Sequence, residues 1–460
     1  MSKQRQHPRR RLPRIGWRAA GTVLIVAMWI ILALVGLVLV LARAMRVEGG
    51  GSANGAAQAQ AAAIEQGAIQ YVLAHLSGLN GSTPSELDAP GEAIRVGDGA
   101  CWILHPSDDG RTYAFGITDE SGKLNLNTAA AAMLLKLPGM TTELADSIVD
   151  WRDSDGDVTA EGAESQYYLL LNDPYECKNA PLETVEELWL IRGITPQIFF
   201  GEDTNRNGVL DDNENDGALS DPPDNADGRL DRGIWDFVTV YSARPRASAS
   251  SVQLINVNDT RGSELSDLLR QVLSPQRVAP VLDRIRRARP FQNLLDFFFR
   301  SGLTEAEFHQ IAGAVATESG RNSAALVNVN TAPREVLACV PRLEESDVAA
   351  LLSWRSEPGR DLSTIAWVAQ ALPREKALAV ADYLTTQSYR FSADIVAVAG
   401  DGRAFRRCRI VVDATSSPPK LLYWQDLTHL GWPLPPDIIV GLRSGLPLDR
   451  LVPAYQQGVW

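Results

Sequence analysis

The sequence predicts an α+β protein in which an N-terminal transmembrane helix precedes a body of mixed helices and antiparallel strands. Three observations support this prediction. Residues 19–42 form a run of 24 positions without a charge. Residues 92–123 and 385–415 contain stretches with the apolar–polar alternation of β-strands. Between these two strand regions, a motif made of an extended segment and two short helices occurs three times.

The composition is that of a globular protein with several domains. The 460 residues are 45% hydrophobic and 22% charged, which excludes collagen, coiled-coil and wholly disordered chains. At about 100–200 residues per domain, two to four domains are expected. The net charge is −12 although the N-terminus is basic, so the body is acidic and disfavours a nucleic-acid partner. Four cysteines without a CxxC pair argue against a disulfide scaffold or zinc ribbon and leave their pairing open: Cys101, Cys177, Cys339 and Cys408.

The charge-free run predicts a single membrane span at residues 22–42, within an N-terminal helix over 22–77. A helix over the whole run would be roughly 36 Å long, which is enough to cross a hydrocarbon core of about 30 Å. Seven basic residues and no acid lie in residues 1–18, which places the N-terminus in the cytoplasm and the body on the far side of the membrane. These basic residues are Lys3, Arg5, Arg9, Arg10, Arg11, Arg14 and Arg18.

The helix is predicted to resume beyond the membrane. Residues 49–60 are rich in glycine and alanine, so they fit either a flexible collar or a continued helix. Residues 61–77 have the apolar spacing of three and four residues that indicates an amphipathic helix. Its apolar positions are Ile64, Ala68, Tyr71, Val72 and Leu76.

The central part of the chain contains a repeated helix-hairpin-helix motif. Three segments share an N-x-N pattern after an apolar residue, and they start at Leu124, Ile255 and Val327. The first and third stay in register at an offset of 203 residues, which aligns Arg152 with Arg355. The second is degenerate and needs about three additional residues to align Arg286 with these two arginines.

Each motif is predicted to begin with an extended stretch whose Asn and Thr side chains cap the following helix. In the first motif this helix covers Ala130–Leu137, Pro138-Gly139 ends it, and a second helix follows. Such SAM-like helix-hairpin-helix units are predicted to form two all-α regions, 124–250 and 251–384. The first region includes an acidic insert at 201–232. The C-terminal tail, 416–460, has no predicted structure.

Four segments resemble the minor pseudopilin K family of type II secretion systems. They are residues 21–29 at the start of the apolar helix, 117–129 (ITDESGKLNLNTA), 162–168 (GAESQYY) and 178–188 (KNAPLETVEEL). Most pilins carry a glutamate four residues after the first mature residue. Here that position holds Val26, and the absence of the glutamate is a mark of the K family. The resemblance covers most of residues 21–415.

The resemblance implies a pilin-like fold, in which the helix 22–77 packs on an antiparallel sheet from 92–123 and 385–415. It implies that residues 1–21 are a basic leader, which prepilin peptidase cuts between Gly21 and Thr22, with Gly16 as a poorer alternative. It further implies a non-catalytic subunit of the inner membrane with a periplasmic body. This subunit would cap the tip of the pseudopilus beside minor pseudopilins I and J and take part in protein export.

The hairpin motif also resembles membrane-anchored DNA receptors of the late-competence type. A DNA-binding hairpin needs two glycines so that backbone N–H groups can reach a phosphate. The first hairpin has only Gly139, and the third, around Arg342, has no glycine and two acids. DNA uptake is therefore the alternative function, and packing is the favoured use of the hairpins. Without an HExxH, GxSxG, P-loop or GxGxxG motif, an enzyme is not predicted.

Residues 203–214 match the calcium-loop pattern D-x-[DN]-x-[DN]-G-x5-E at every defined position. Carboxylate and carbonyl oxygens are the ligands that a hard cation such as calcium prefers. The expected ligands are the side chains of Asp203, Asn205, Asn207, Asp211 and Glu214 and the carbonyl of Val209, with Gly208 at the turn. Because no long helices flank the loop, the pattern predicts a dockerin-like structural calcium site.

Two further acidic groups are weaker metal candidates. The first resembles a second loop whose opening and closing positions hold Pro223 and Ile234, with Asp221 or Asp224 as substitutes; its candidate ligands are Asn225, Asp227 and Asp231. The second fits either a cation site or a solvated turn; its candidates are Asp153, Asp155 and Asp157, near Glu161 and Glu164. A basic cluster in the second repeat is typical of a solvated helix face: Arg284, Arg286, Arg287 and Arg289.

Overall fold

The computed structural model describes residues 18–79, 81–84, 89–107, 110–220, 223–242, 254–259, 263–317 and 326–451. The predicted leader up to residue 17, with its alternative cleavage site at Gly16, therefore lies outside the described residues. The chain divides into two compact units, residues 1–59 and 60–460.

Helix α1 (Arg18–Leu76) is the only described element of the first unit, and its last turns belong to the second unit. It confirms the predicted helix over 22–77 and continues through Gly49–Gly51. Of the two alternatives for residues 49–60, the continued helix is therefore confirmed and the flexible collar is wrong. Apolar side chains from Val23 to Leu41 are exposed. By length and composition, α1 from Thr22 onward can cross a membrane.

Most strands of the second unit have only two or three residues, and the longer strands all belong to the main sheet. They are β1 (Ile94–Val96), β2 (Gly99–His105), β3 (Ala114–Phe115), β4 (Thr118–Asp119), β5 (Leu124–Asn125), β6 (Val238–Thr239), β7 (Ile255–Asn256), β8 (Val315–Ala316), β9 (Val327–Asn328), β10 (Leu384–Thr385), β11 (Arg390–Val398), β12 (Phe405–Asp413) and β13 (Lys420–Asp426).

The remaining helices belong mostly to the region between β5 and β10. They are α2 (Ala131–Leu134), α3 (Thr142–Arg152), α4 (Ser165–Tyr168), α5 (Pro196–Phe200), α6 (Glu264–Val272), α7 (Pro275–Ala288), α8 (Leu294–Ser301), α9 (Glu305–Ala312), α10 (Arg334–Cys339), α11 (Glu345–Arg355), α12 (Val368–Ala371), α13 (Arg374–Val380) and α14 (Pro436–Arg443).

The main sheet is antiparallel and has the order β1-β2-β11-β12-β13, with β3 beside β2 and β4 beside β11. It joins the two predicted strand regions, 92–123 and 385–415, which confirms that they form one sheet. Successive side chains of a strand point to opposite faces. One face buries Cys101 and Ile103 against Ile64, Ala68 and other residues of α1. The opposite face is covered by α14.

Strand β13 and helix α14 both lie in the tail at 416–460, for which the sequence predicted no structure. Strand β13 extends the sheet by pairing with β12, with a register shift between Val411 and Val412. Its Leu421-Leu422-Tyr423-Trp424 run has four apolar residues in succession. Several of these side chains remain partly exposed at the sheet edge. The run therefore lacks the apolar–polar alternation by which a strand is recognised.

The region between the two halves of the sheet consists of three repeats, residues 124–239, 255–316 and 327–385. Each repeat begins and ends with a two-residue strand, and the two strands of each repeat pair in parallel: β5 with β6, β7 with β8 and β9 with β10. The helices lie between these strands. Their apolar faces share one core that extends through all three repeats.

The asparagines of the N-x-N motif connect the start of each repeat to a later loop of the same repeat. The prediction that they cap the following helix is wrong. The first Asn makes a local turn: Oδ1 of Asn125 accepts a hydrogen bond from the backbone N–H of Asn127 at 2.8 Å. The second Asn reaches a distant loop. Asn127 donates to the carbonyl of Leu182 at 2.9 Å and accepts from its N–H at 2.7 Å. Helix α2 starts later, after Ala130, without a side-chain cap.

The arginine that completes the motif is Arg289 in the second repeat, not Arg286 as the sequence alignment predicts. Arg355 donates to the carbonyl of Val329 at 3.0 Å, and Arg152 makes the same contact in the first repeat with the carbonyl of Leu126. Nε of Arg289 donates to the carbonyl of Val257 at 2.7 Å. Helix α7 has 14 residues, three more than α3 and α11, and Arg289 follows its last residue, whereas Arg152 and Arg355 are the last residues of their helices. The register therefore shifts by more than three residues.

Candidate metal-binding loops of the first repeat

The predicted metal loops are insertions that distinguish the first repeat from the other two. After α3 the chain makes a long excursion before the short 3₁₀ helix at 185–190, whereas only nine residues separate α11 from the 3₁₀ helix at 365–367. A second excursion separates α5 from β6, whereas α9 and α13 lead to their strands within a few residues. All three acidic groups of the sequence lie in these two insertions.

The loop at 203–214 is folded around its first aspartate. The carboxylate of Asp203 accepts hydrogen bonds from the N–H of Asn207 at 3.0 Å and of Gly208 at 2.9 Å. Gly208 has φ +74°, the left-handed conformation that a residue with a Cβ rarely adopts. The predicted turn at Gly208 is therefore present in the structure.

The other predicted ligands point into the same loop. Nδ2 of Asn205 and of Asn207 donate to the Asp211 carboxylate at 2.6 and 2.9 Å. The Glu214 carboxylate accepts from the N–H of Thr204 at 3.0 Å and of Asp211 at 3.1 Å, so it closes the loop from its far end. Asn207, Val209 and Glu214 are buried. The structure thus brings together the five side chains that were predicted as ligands of this loop.

Negative charge is concentrated in this buried loop. Burial, with Asp236 and Glu214 nearby, raises the pKa of Asp203 to about 8. Burial also raises the pKa of Glu214, and the Asp211 carboxylate adds to this effect. A hard divalent cation would offset both the burial and the repulsion. The donor set, carboxylate and amide oxygens with one carbonyl, is chemically suited to calcium.

The second loop repeats this geometry around residues 225–231. Nδ2 of Asn225 donates to Asp231 at 2.8 Å, as Asn205 does to Asp211. The N–H of Asp227 donates to Oδ1 of Asn225 at 2.8 Å. The carboxylate of the predicted substitute Asp224 accepts from the N–H of Ala226, inside this loop, at 2.7 Å and from the N–H of Gly217 at 3.0 Å. The other predicted substitute, Asp221, lies outside the described residues.

Two residues that the sequence analysis missed fill the open positions of the second loop. Glu202 accepts from the N–H of Asn225 at 3.2 Å and of Asp231 at 3.1 Å, which is the role of Glu214 in the first loop. Oδ1 of Asn215 accepts from the N–H of Gly228 at 2.9 Å, as Asp203 accepts from Gly208. Both precede the loop in the chain, so a pattern read forward from Pro223 cannot find them.

The third group, after α3, differs from the two loops because it contains buried oxygens without donors. Within the described part of the chain, Oδ1 of Asp153, Oε1 of Glu164 and Oδ1 of Asn179 are buried and receive no hydrogen bond. Burial raises the pKa of Asp153 and of Glu164, and neighbouring carboxylates contribute. Asp155 and Asp157 are exposed and share only a local turn, in which Asp155 accepts from the N–H of Asp157 at 3.0 Å.

No preformed metal centre made of three or more Asp, Glu, His or Cys side chains occurs among the residues that the structure describes. Each of the three acidic groups contains the side-chain amide of an asparagine beside its carboxylates. All four cysteines are buried and free.

Comparisons with known proteins relate this chain to a protein family and to a solved structure. Residues 117–200 match the family model of the type II secretion system (T2SS) protein K. The chain is also similar to a crystal structure described as the GspK-GspI-GspJ complex from the enterotoxigenic Escherichia coli Type 2 Secretion System. The identity is 13% over 83% of this chain and 98% of that chain, with a TM-score of 0.35. The search of curated proteins gives no match. Over residues 117–200, the family match confirms the resemblance to type II secretion protein K that the sequence motifs indicate.

Proposed function

We propose that this protein is a minor pseudopilin of a type II secretion system and that its role is structural. The observation that carries this proposal is the family match over residues 117–200. This matched segment covers β4, the first helix pair and the acidic excursion after α3. The helix-hairpin-helix units of the repeats would serve packing and protein contact, and no catalytic step is assigned to the chain.

The N-terminal helix would anchor the protein in the inner membrane, with the basic leader in the cytoplasm and the body in the periplasm. Prepilin peptidase would cut between Gly21 and Thr22. Intact mass of the membrane-extracted protein, with and without co-expressed peptidase, tests this step. Loss of residues 1–21 is expected. An uncut chain, or a cut after Gly16 instead, would contradict the proposed site.

The proposed place in the fibre is its tip, beside minor pseudopilins I and J. Val26 provides no carboxylate to pair with the N-terminal amine of a subunit ahead of it, which fits a subunit with nothing above it. The three repeats add a bulk that would hinder further addition. The solved structure with which this chain shares similarity contains GspK together with GspI and GspJ.

Reconstitution with pseudopilins I and J from the same source tests the partners. The detergent-extracted full chain should co-elute with both, in equal amounts, on size exclusion. If I and J bind each other and this chain stays apart, the proposal is wrong. A gel shift with duplex DNA at low salt serves as the counter-test, because strong binding would favour the DNA-receptor alternative.

We also propose that the loop at 203–214 binds calcium as a structural ion, and that Glu202 and Asn215 complete a second site with Asn225, Asp227 and Asp231. The support is the shared hydrogen-bond pattern of the two loops and their oxygen-only donor sets. Isothermal titration of the calcium-depleted protein should show binding that Asp203→Asn weakens. Binding that is absent from the native chain would reject the proposal.

The third group is proposed as a further calcium site, with Asp153, Glu164 and Asn179 as its principal ligands. Buried oxygens without donors are rare in native proteins and call for a partner such as an ion. Three of them lie within the excursion that follows α3. Glu164→Gln should remove one equivalent of bound calcium by metal analysis, whereas Glu161→Gln, at an exposed neighbouring position, should not.

A further inference from the structure

The C-terminal segment 427–443 covers one face of the sheet. Leu434, Ile438 and Leu442 pack against a buried cluster that includes Trp102 and Val396. Trp432 meets the Trp102 ring edge-on, with centroids 6.0 Å apart. Without this cover, large apolar side chains on β2 and β11 would face water, which is unfavourable.

Arg407 joins this cover to the loop at 203–214. Its side chain is completely buried and donates from Nε and Nη2 to the two oxygens of Asp394, at 3.0 and 2.9 Å. The same guanidinium donates to the carbonyls of Asn205 and Arg206, which lie inside the loop. The backbone of Arg407 meanwhile holds the start of the C-terminal segment, because its carbonyl accepts from the N–H of Leu427 at 2.8 Å.

Asn207 makes a second link between the loop and the cover. Its Nδ2 donates to the carbonyl of Pro433 at 3.1 Å. The loop is therefore linked to the C-terminal segment at two places. The first link runs through Arg407 to Leu427. The second is the hydrogen bond from Asn207 to Pro433. A side chain that ligates a cation through Oδ1 keeps its Nδ2–H free to donate, so Asn207 can serve both purposes.

We infer that a cation bound in the loop at 203–214 holds the C-terminal segment 427–443 on the sheet. The inference rests on the calcium proposal above. Without a cation, the loop buries the carboxyl groups of Asp203 and Glu214 with no metal ion to balance them, which is unfavourable. If the loop loosens, Arg407 loses its hydrogen bonds to the carbonyls of Asn205 and Arg206. The carbonyl of Pro433 loses its hydrogen bond from Asn207. Both polar links then weaken together, and the segment is left with its apolar packing and the hydrogen bond from Arg443 to the carbonyl of Gly402.

Hydrogen exchange of the detergent-extracted full chain, in calcium and in EGTA, tests this inference. Amides of the segment should exchange about tenfold faster in EGTA. Asn207→Asp retains a ligating oxygen but removes the donor to Pro433. In calcium, this variant should show faster exchange at 427–443 than the wild type.

Asn205→Asp is the matched control, because both asparagines donate to Asp211 but only Asn207 reaches Pro433. Asn205→Asp should keep the segment protected in calcium. Equal protection of the segment in both variants, or exchange changes confined to 201–232, would overturn the inference. Calcium binding measured in parallel separates this failure from that of the calcium proposal, since a chain that binds no calcium fails at the earlier step.

Discussion

Gly139 and Arg342 occupy equivalent positions at the hairpin tips of the first and third repeats. Both have positive φ, +66° and +69°. For a residue with a Cβ this conformation costs about 1–2 kcal/mol, whereas glycine adopts it freely. The third repeat therefore keeps the backbone shape of the first with a residue that is strained by it.

We expect Arg342→Gly to raise the free energy of unfolding by about 0.5–1 kcal/mol, because it relieves this strain. Urea denaturation measures the change. Gly139→Ala is the reciprocal control and should lower the free energy of unfolding by about 1 kcal/mol. A less stable Arg342→Gly variant would contradict the account.

Glu120 is a buried acid in a network of cations and hydroxyl groups. Burial alone would raise its pKa. Lys123, whose Nζ lies 3.0 Å from Oε1, outweighs burial together with Arg409, Ser392 and Thr239 and lowers the pKa to about 2. Since the folded pKa lies below the ordinary value of 4.5, this group stabilises the fold above about pH 4.5. That contribution is lost as the pH falls toward 2.

The comparison of wild type with Glu120→Gln isolates this effect. The variant should be less stable than the wild type at pH 7, and the gap should shrink steadily between about pH 4.5 and pH 2. Urea titrations at several pH values measure it. A gap that is independent of pH would show that the charge of Glu120 does not stabilise the fold.

At the scale of elements, each repeat is closed by a parallel strand pair, an asparagine bridge and an arginine that bonds to the strand carbonyls. The sequence alignment selected Arg286 for this role in the second repeat, but its side chain is 67% exposed and pairs with Asp283. Arg289 makes the bond to Val257 instead.

We expect Arg289→Met to cost about 1.5–3 kcal/mol of stability, because it removes a charged donor from a backbone carbonyl. Arg286→Met is the neighbouring control and should change stability by less than about 1 kcal/mol, as for a surface ion pair. Thermal unfolding compares the two. A larger loss of stability in Arg286→Met than in Arg289→Met would show that Arg286 has the role that the sequence alignment predicted.

The elements that the sequence could predict are those with a local signal. The apolar run, the alternation of β2, β11 and β12 and the pattern of residues 203–214 all lie within short windows. What it missed depends on distant residues. Asn127 bonds to Leu182, which its neighbourhood does not reveal. Glu202 and Asn215 complete a loop that follows them in the chain. The two-residue strands that close the repeats are too short to show a period.

At the scale of the whole molecule, the four cysteines are spread over the sheet and two of the repeats, and none is paired. Burial raises the pKa of Cys101 to about 12 and that of Cys177 to about 11, so the reactive thiolate is suppressed. The native protein should not react with a thiol reagent at neutral pH. After denaturation in urea without reductant it should show four thiols per chain. A count of two or zero would reveal disulfides.

The pairing of β4 with β11 has a consequence for how the chain can fold. Asp119 lies opposite Phe391, so the sheet closes only after everything between them has been made. Contacts this distant in sequence give a high contact order and slow folding. Each repeat, in contrast, joins its own ends and can form early. During synthesis from the N-terminus, β2 is therefore an open strand edge until β11 has been made, which makes the incomplete chain the form most prone to aggregation.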